Sequence, residues 1–464
     1  MDRRCPAQGS SPSAAGATLL VLSLVPFLSP HPAPARPYLD PSGAGAGAQA
    51  AVAPVAELLS DDARLVAWIA TRNLQVAAAR ARVTQARADM GQAGVVPNPS
   101  LQAGLGNVAV GRTTPRNNPF SDAAIWSFQL AETIEIGKRG PRIDSARLRL
   151  DAEGASFLDA LGRTVADARL ALARIVHLRA RQAVLEETLA GAQKVLDLEA
   201  HRVEQGDLSG NDYDRLLVDT LTLEADVAQN RSELDSALHD CEAVLAARCE
   251  AGVADSTALL RGAAAVPPPP ADADAALAAR PDLRSLDLSR QSAGRDAVLA
   301  RRRAIPDPQI GVGYTHDQFV VSGDNPNFFS FSVTVPLPVF DHGQHDAAKA
   351  EGHASELAST HASTMAAARA VLASLQNRQA FVEGTLATRA VPKSKAVLDS
   401  TVTAFDRGQL SMTDLLLARR THTGLLLKVM DLEFEAFSVR NEIRRVLGID
   451  AEVARAAAAT PGHG

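Results

Sequence analysis

The chain has 464 residues, a net charge of -6 and only 4% aromatic residues. So mild an acidic balance gives no reason to expect nucleic acid as a partner, and the aromatics are too few for the wide core of a typical large enzyme. Long Ala- and Leu-rich stretches suit narrow helix–helix contacts instead.

The first 35 residues read as a secretory signal, with Arg3 and Arg4, an apolar run from Ala17 to Leu28, and small residues at Ala33 and Ala35. No run approaches the ~18 apolar residues of a membrane helix, so none is expected in the mature protein. No Cys stands at the expected cleavage point, so a lipid anchor is not expected either. Residues 36–56, rich in Pro, Gly and Ala, read as a flexible segment.

From there the sequence says the same thing twice, in repeats spanning 57–248 and 275–448. The first repeat opens with a helical stretch from Leu58 to about Ala93, and the second with the helix containing Arg280-Pro-Asp-Leu283. Pro97-Asn98-Pro99 and Pro306-Asp307-Pro308 then introduce two hairpins, at roughly 98–137 and 308–338. In each hairpin apolar residues alternate with small or polar ones. Leu101, Leu105, Phe128, Ile310, Val312 and Phe331 fall on one face, against Gln102, Gly104, Ser127, Gly311 and Ser332 on the other. Apolar-out and small-or-polar-in is how a strand of a membrane β-barrel reads, which makes the first six candidates to face lipid. An ordinary antiparallel sheet with one dry face gives the same alternation. Four strands cannot close a barrel, and an open edge does not persist in lipid, so strands must be pooled between chains. Three copies would supply twelve.

Each hairpin leads into a long helical stretch, about 141–205 and 344–406, followed by a second helix, about 211–247 and 412–448. Leu161, Ala168, Ile175, Leu189, Leu196 and Val203 hold one seam position of a seven-residue repeat and Leu150, Phe157, Ala171, Leu178 and Leu185 the other, which predicts coiled-coil packing rather than a helix lying on a globular core. Pro392 should bend the matching helix of the second repeat. Cys241 and Cys249 are too far apart to bond on one continuous helix. They either bridge across a helix end near Ala247 or are two buried thiols. A Pro-rich linker, 249–274, joins the repeats, and the tail 449–464 reads as flexible.

No hydrolase, phosphate-loop or zinc signature is present, and no catalytic, cofactor or metal residue is assigned. His342 and His345 lack a third ligand, and Asp341 beside them reads as a cap. The helical hairpins turn at Gly206-Asp207-Leu208-Ser209 and Gly408-Gln409-Leu410-Ser411. Ser209 with Asp212, and Ser411 with Asp414, have capping-box spacing. These tips are either turns alone or turns that also dock a partner through Gly206, Leu208, Ser209, Gly408, Leu410 and Ser411. Asp207, Asp212, Asp214, Asp406 and Asp414 are candidate pore acids, two of them equally readable as caps.

Taken in order and twice over, both Pro-x-Pro hairpins, Arg280-Pro-Asp-Leu283, Pro336-Leu-Pro-Val-Phe340 and the two tips resemble the TolC-like outer-membrane efflux proteins. Glu135-Ile-Gly-Lys-Arg139 with Arg142 is most similar to the CzcC-like branch that serves heavy-metal cation pumps. The resemblance implies a mainly α chain with a membrane β-barrel. Its four strands would pool in a homotrimeric barrel in outer-membrane lipid, and its long helices would form a periplasmic tunnel. It implies a non-enzymatic exit duct partnered by a periplasmic membrane-fusion adaptor and an inner-membrane resistance–nodulation–division pump. The cargo would be cobalt, zinc, cadmium or copper cations. A drug or type I secretion duct of the same fold is the alternative, and a trimeric coiled-coil envelope scaffold is the alternative of another class.

Overall fold

The computed structural model describes residues 52–108, 124–206, 209–250, 259–260, 272–317, 325–387 and 390–459. The signal segment, most of the linker, the first hairpin's turn, and Asp207 and Leu208 lie outside them.

The described chain begins with β1 (Val52–Ala53), α1 (Val55–Ser60), α2 (Asp62–Arg72) and α3 (Leu74–Ala93). The helix expected from Leu58 is thus three helices. Asp61 and Asn73 break it, because each side chain accepts from the two backbone N–H groups that open the next helix. Asn73 Nδ2 also donates to Val244 O at 2.8 Å. The segment 36–56 is correspondingly not all flexible. Val52 and Ala53 pair in parallel with Arg248 and Cys249, and Ala53 and Val55 are buried.

Next come β2 (Ser100–Gly106), β3 (Ile125–Thr133), α4 (Arg139–Glu204), α5 (Gly210–Leu245) and β4 (Arg248–Cys249). At ~1.5 Å per residue, the 66-residue α4 is about 100 Å long. Its middle departs from the coiled-coil expectation. Besides the seam residues Leu161, Ile175 and Leu178, Val165, Leu172 and Val176 are buried, too many faces for a narrow seam. They share one core with Leu65 and Ile69 of α2 and Leu234 and Leu245 of α5. After α5, Ala246 adopts a left-handed conformation (φ 51°) and reverses the chain. That reversal brings the Cα atoms of Cys241 and Cys249 to 6.3 Å, and the two form a disulfide.

The second repeat contains α6 (Ala273–Ala278), α7 (Pro281–Arg301), a 3-10 turn (Arg302–Ala304), β5 (Gln309–Asp317) and β6 (Asn327–Thr334). It continues through α8 (Gln344–Leu386), α9 (Ala390–Asp406) and α10 (Met412–Val446). Pro392 does not bend one long helix. The helix ends at Leu386, and Pro392 sits in the first turn of α9, where a missing N–H breaks no helical bond. Gly343 has φ +81°, and a Cβ there would lie 2.1 Å from Ala300 O, so only glycine fits where α8 meets α7.

Residues 449–459 of the tail are ordered as α11 (Ile449–Ala459), which corrects the flexible reading. Gly448 (φ +72°) turns the chain back, and the backbone of Ala451 rests against Gly162 of α4. Asp450 on α11 accepts from Arg169 of α4 at 2.9 and 3.0 Å and from Arg444 of α10 at 3.0 Å. Asp62 of α2 joins both arginines, and Asn441 of α10 accepts from Arg169 at 2.9 Å. Two guanidiniums facing two carboxylates make this burial tolerable, and they tie α2, α4, α10 and α11 together.

Candidate functional site: the strand sheet and the helical tips

The four long strands form one antiparallel sheet in the order β2-β3-β5-β6. Its register puts Leu101, Leu130, Val312 and Phe331 in one row and Ala103, Phe128, Tyr314 and Phe329 in the next. Leu105 and Ile310 share that face, so all six residues singled out from the sequence lie on one side. Phe331 is 84% exposed and Leu101 72%, an apolar surface no part of the described chain covers. The opposite face is small and polar apart from Ile125 and Phe328 at its loop end. Gln129 Nε2 donates to Ser332 Oγ at 2.8 Å, and a Cβ on Gly311 would lie 2.4 Å from that same oxygen. Among the described residues, neither β2 nor β6 has a strand partner on its outer side.

Where strands pass into helices, the β3–β5 seam is clamped. Ile134 N donates to Pro308 O at 2.9 Å, Ile136 N to Asp307 Oδ1 at 3.0 Å, and Lys138 Nζ to Asp307 Oδ2 at 2.6 Å. Burial would raise the Asp307 pKa, but Lys138 and the Ile136 N–H outweigh it and hold the carboxyl below its ordinary value. Arg142 grips both oxygens of Glu135 and donates to the carbonyls of Ala93 and Val95. The charges of the Glu135–Arg142 segment are therefore consumed in holding strand to helix.

At the far end of the helices, Gly206 (φ +82°) and Gly408 (φ +70°) stop α4 and α9. Gly408 N reaches Phe405 O and Gln409 N reaches Ala404 O, closing the helix end. Ser411 and Asp414 form the expected capping box, and those bonds hold the Asp414 carboxyl below its ordinary value. The Ser209–Asp212 box does not form. The Ser209 side chain caps nothing, and the Asp212 carboxylate lies 3.7 Å from Arg215 instead. Asp214 and Asp406 are exposed, as is Leu410 at 39%. Sequence reasoning missed the link between the two helical hairpins, where Arg420 of α10 donates to Asp219 of α5 at 2.6 and 2.7 Å. An Arg about two turns beyond a capped helix start was its available signal.

Among the described residues no helix is long and apolar enough to cross a membrane, and no three His, Cys, Asp or Glu residues gather to hold a metal. The family model for "outer membrane efflux protein" matches residues 66–247 and 273–448. The chain belongs to the outer membrane efflux protein family. Comparison with curated proteins finds no match. Among solved structures, the fold is similar to the CusC channel, with a TM-score of 0.70 and 15% identity over 83% of this chain and 91% of that one. It is also similar to MtrE of Neisseria gonorrhoeae (TM-score 0.68, 14% identity, 84% and 89% covered). CmeC of Campylobacter jejuni is a third (TM-score 0.66, 12% identity, 84% and 86% covered).

Members of this family are non-enzymatic outer-membrane channels of tripartite efflux systems in Gram-negative bacteria, and they form trimers. The protein is such a channel, with strands in the outer membrane and helices extending into the periplasm.

Proposed function

We propose that three copies of this chain close one twelve-stranded barrel and form the passive exit duct for heavy-metal cations. The observation that carries the trimer is the four-stranded sheet, whose two outer edges have no partner and whose apolar face is bare. An edge in hydrocarbon costs several kcal/mol per unmet polar group, by order of magnitude, so each β6 pairs with β2 of the next copy. All neighbours are then antiparallel, because β2 and β6 run in opposite directions. Leu101, Leu105, Phe128, Ile310, Val312 and Phe331 face lipid, and the Gly/Ser/Gln face lines the lumen.

The cation reading is supported by the similarity of the Glu135–Arg142 segment to the CzcC-like branch and by the acids near the tips. Asp214 and Asp406 are exposed there, and threefold symmetry would multiply them into a ring that attracts cations. Leu410 and the turn glycines suit docking of a periplasmic adaptor, which would connect the duct to a resistance–nodulation–division pump. Deleting the gene and measuring growth on cobalt, zinc, cadmium, copper and a panel of drugs tests the cargo. Metal sensitivity restored by the intact gene is expected. Sensitivity to drugs alone would overturn the cation reading and leave the channel intact.

A further inference from the structure

The internal duplication says more about the seam between copies than the strand edges alone. Trp126 corresponds to Phe329 and Gly140 to Gly343, while Pro97–Pro99 corresponds to Pro306–Pro308. The register agrees: Ser100 pairs with Ala131 in the first hairpin as Gln309 pairs with Thr334 in the second. Within the chain, the connector leaving β3 runs along the connector entering β5. Between copies, the connector leaving β6 (335–341) must likewise run along the one entering β2 (95–99).

The side chains at these corresponding positions exchange in a complementary way. Inside the chain the seam is charged, through Lys138 and Asp307. Their counterparts are Asp341 and Asn98, which cannot form an ion pair. Inside the chain Gly137 lies against Arg302, with a built Cβ 3.4 Å from the guanidinium. The counterparts of that small–large pair are Phe340 and Ala93, large and small reversed. Phe340 is 91% exposed, Leu337 77% and Val339 70%, three apolar groups with nothing described over them. Ala93, Val95, Val96 and Leu299 form the apolar side of an open cavity of ≈ 690 Å³ beside the β2 connector, whose other side carries Arg142, Arg149 and Asp296; Val95 and Val96 are about half exposed.

We infer that the seam between copies is an apolar clasp at the junction of barrel and tunnel, in which Phe340 of one copy enters the cavity beside Ala93, Val95 and Val96 of the next, with Leu337 alongside. The inference rests on the trimeric reading above and goes further by fixing residues and register. The same correspondence sets Thr334 of one copy beside Gln102 of the next, as Ala131 stands beside Gly311.

Paired cysteines test this in the full-length protein in its own outer membrane, where the Cys241–Cys249 disulfide is already closed. Under mild oxidation, Val96→Cys with Phe340→Cys should convert monomer bands into covalent dimers and trimers on non-reducing gels. Each single variant should remain monomeric on the same gels. Thr334→Cys with Gln102→Cys serves as the edge control. Cross-linking of the edge pair without the 96/340 pair would overturn the clasp while keeping the trimer. Failure of both pairs, with a monomeric mass in detergent, would remove the trimeric reading itself. A volume exchange checks the packing: Phe340→Gly should lose the trimer band seen on unheated gels. Adding Ala93→Arg, which copies the internal Gly137–Arg302 pair, should restore it. Unchanged trimer in Phe340→Gly would overturn the clasp.

Discussion

Replacing Asp450 with alanine removes the acceptor on which two buried guanidiniums converge. Its side chain is 2% exposed, that of Arg169 1% and that of Arg444 6%. Asp62 remains to neutralise them, but it is a third exposed and reaches each arginine through one oxygen. Stripping one partner from a buried charged set costs about 3–5 kcal/mol, and the surviving Asp62 places this case near the lower end, about 3 kcal/mol. The exposed pair Arg64–Glu57 is the internal comparison, since Glu57→Ala should cost no more than about 1 kcal/mol. Urea titration of detergent-purified protein, followed by the helical circular dichroism signal, measures both. Acid adds a second readout. Burial would raise the Asp62 pKa, but Arg169 and Arg444 outweigh it and hold the carboxyl below the ordinary value of 3.8. A depressed carboxylate pKa contributes stability that is present above the unfolded value and lost as pH falls through the folded one. Wild type should therefore lose stability below about pH 4 by a margin that Asp62→Asn lacks. If Asp450→Ala behaves like Glu57→Ala, the cluster does not hold the helices together.

On the sheet, Phe331→Arg should destabilise the folded barrel by about 2–4 kcal/mol, whereas Ser332→Arg should chiefly lower single-channel conductance; equal effects would mean the faces are misassigned. Leu208→Asp combined with Leu410→Asp should abolish export in a growth assay while the trimer remains in the membrane, and wild-type export would leave the tips as turns alone. Cys249→Ser opens a short loop whose closure is worth roughly 2.5 kcal/mol by chain entropy, read as a lowered urea midpoint; no change would mean that β1–β4 pairing alone holds the α5 end.

The legible parts of this fold were those written in local patterns. Alternation along Leu101–Leu105 and Phe329–Val333 fixed both strands and faces, because a period of two has one meaning on a sheet. The tip glycines and the Ser411–Asp414 box were readable because turns and caps are set by neighbouring residues, although the equally spaced Ser209–Asp212 box does not form. The hidden parts depend on segments meeting from far apart. Asp62, Arg169, Arg444 and Asp450 are ordinary surface residues until four helices bring them together. The disulfide turns on a left-handed alanine, Ala246, which no propensity favours. Helix α11 had a signal that was passed over, since Gly448 is a helix stop followed by Ile449 and Val453 at helical spacing. The heptad was real but incomplete: it identified Leu161, Ala168 and Ile175, and missed that Val165, Leu172 and Val176 bury the other side of the same helix.

In the proposed trimer each chain carries a third of a barrel. The mass of folded protein extracted from the outer membrane in mild detergent decides this, measured by analytical ultracentrifugation with the detergent contribution matched out. Three chains per particle, falling to one on heating in SDS, is the result expected. A folded, stable, single-chain particle would contradict it, because four strands with two open edges cannot stand alone in lipid.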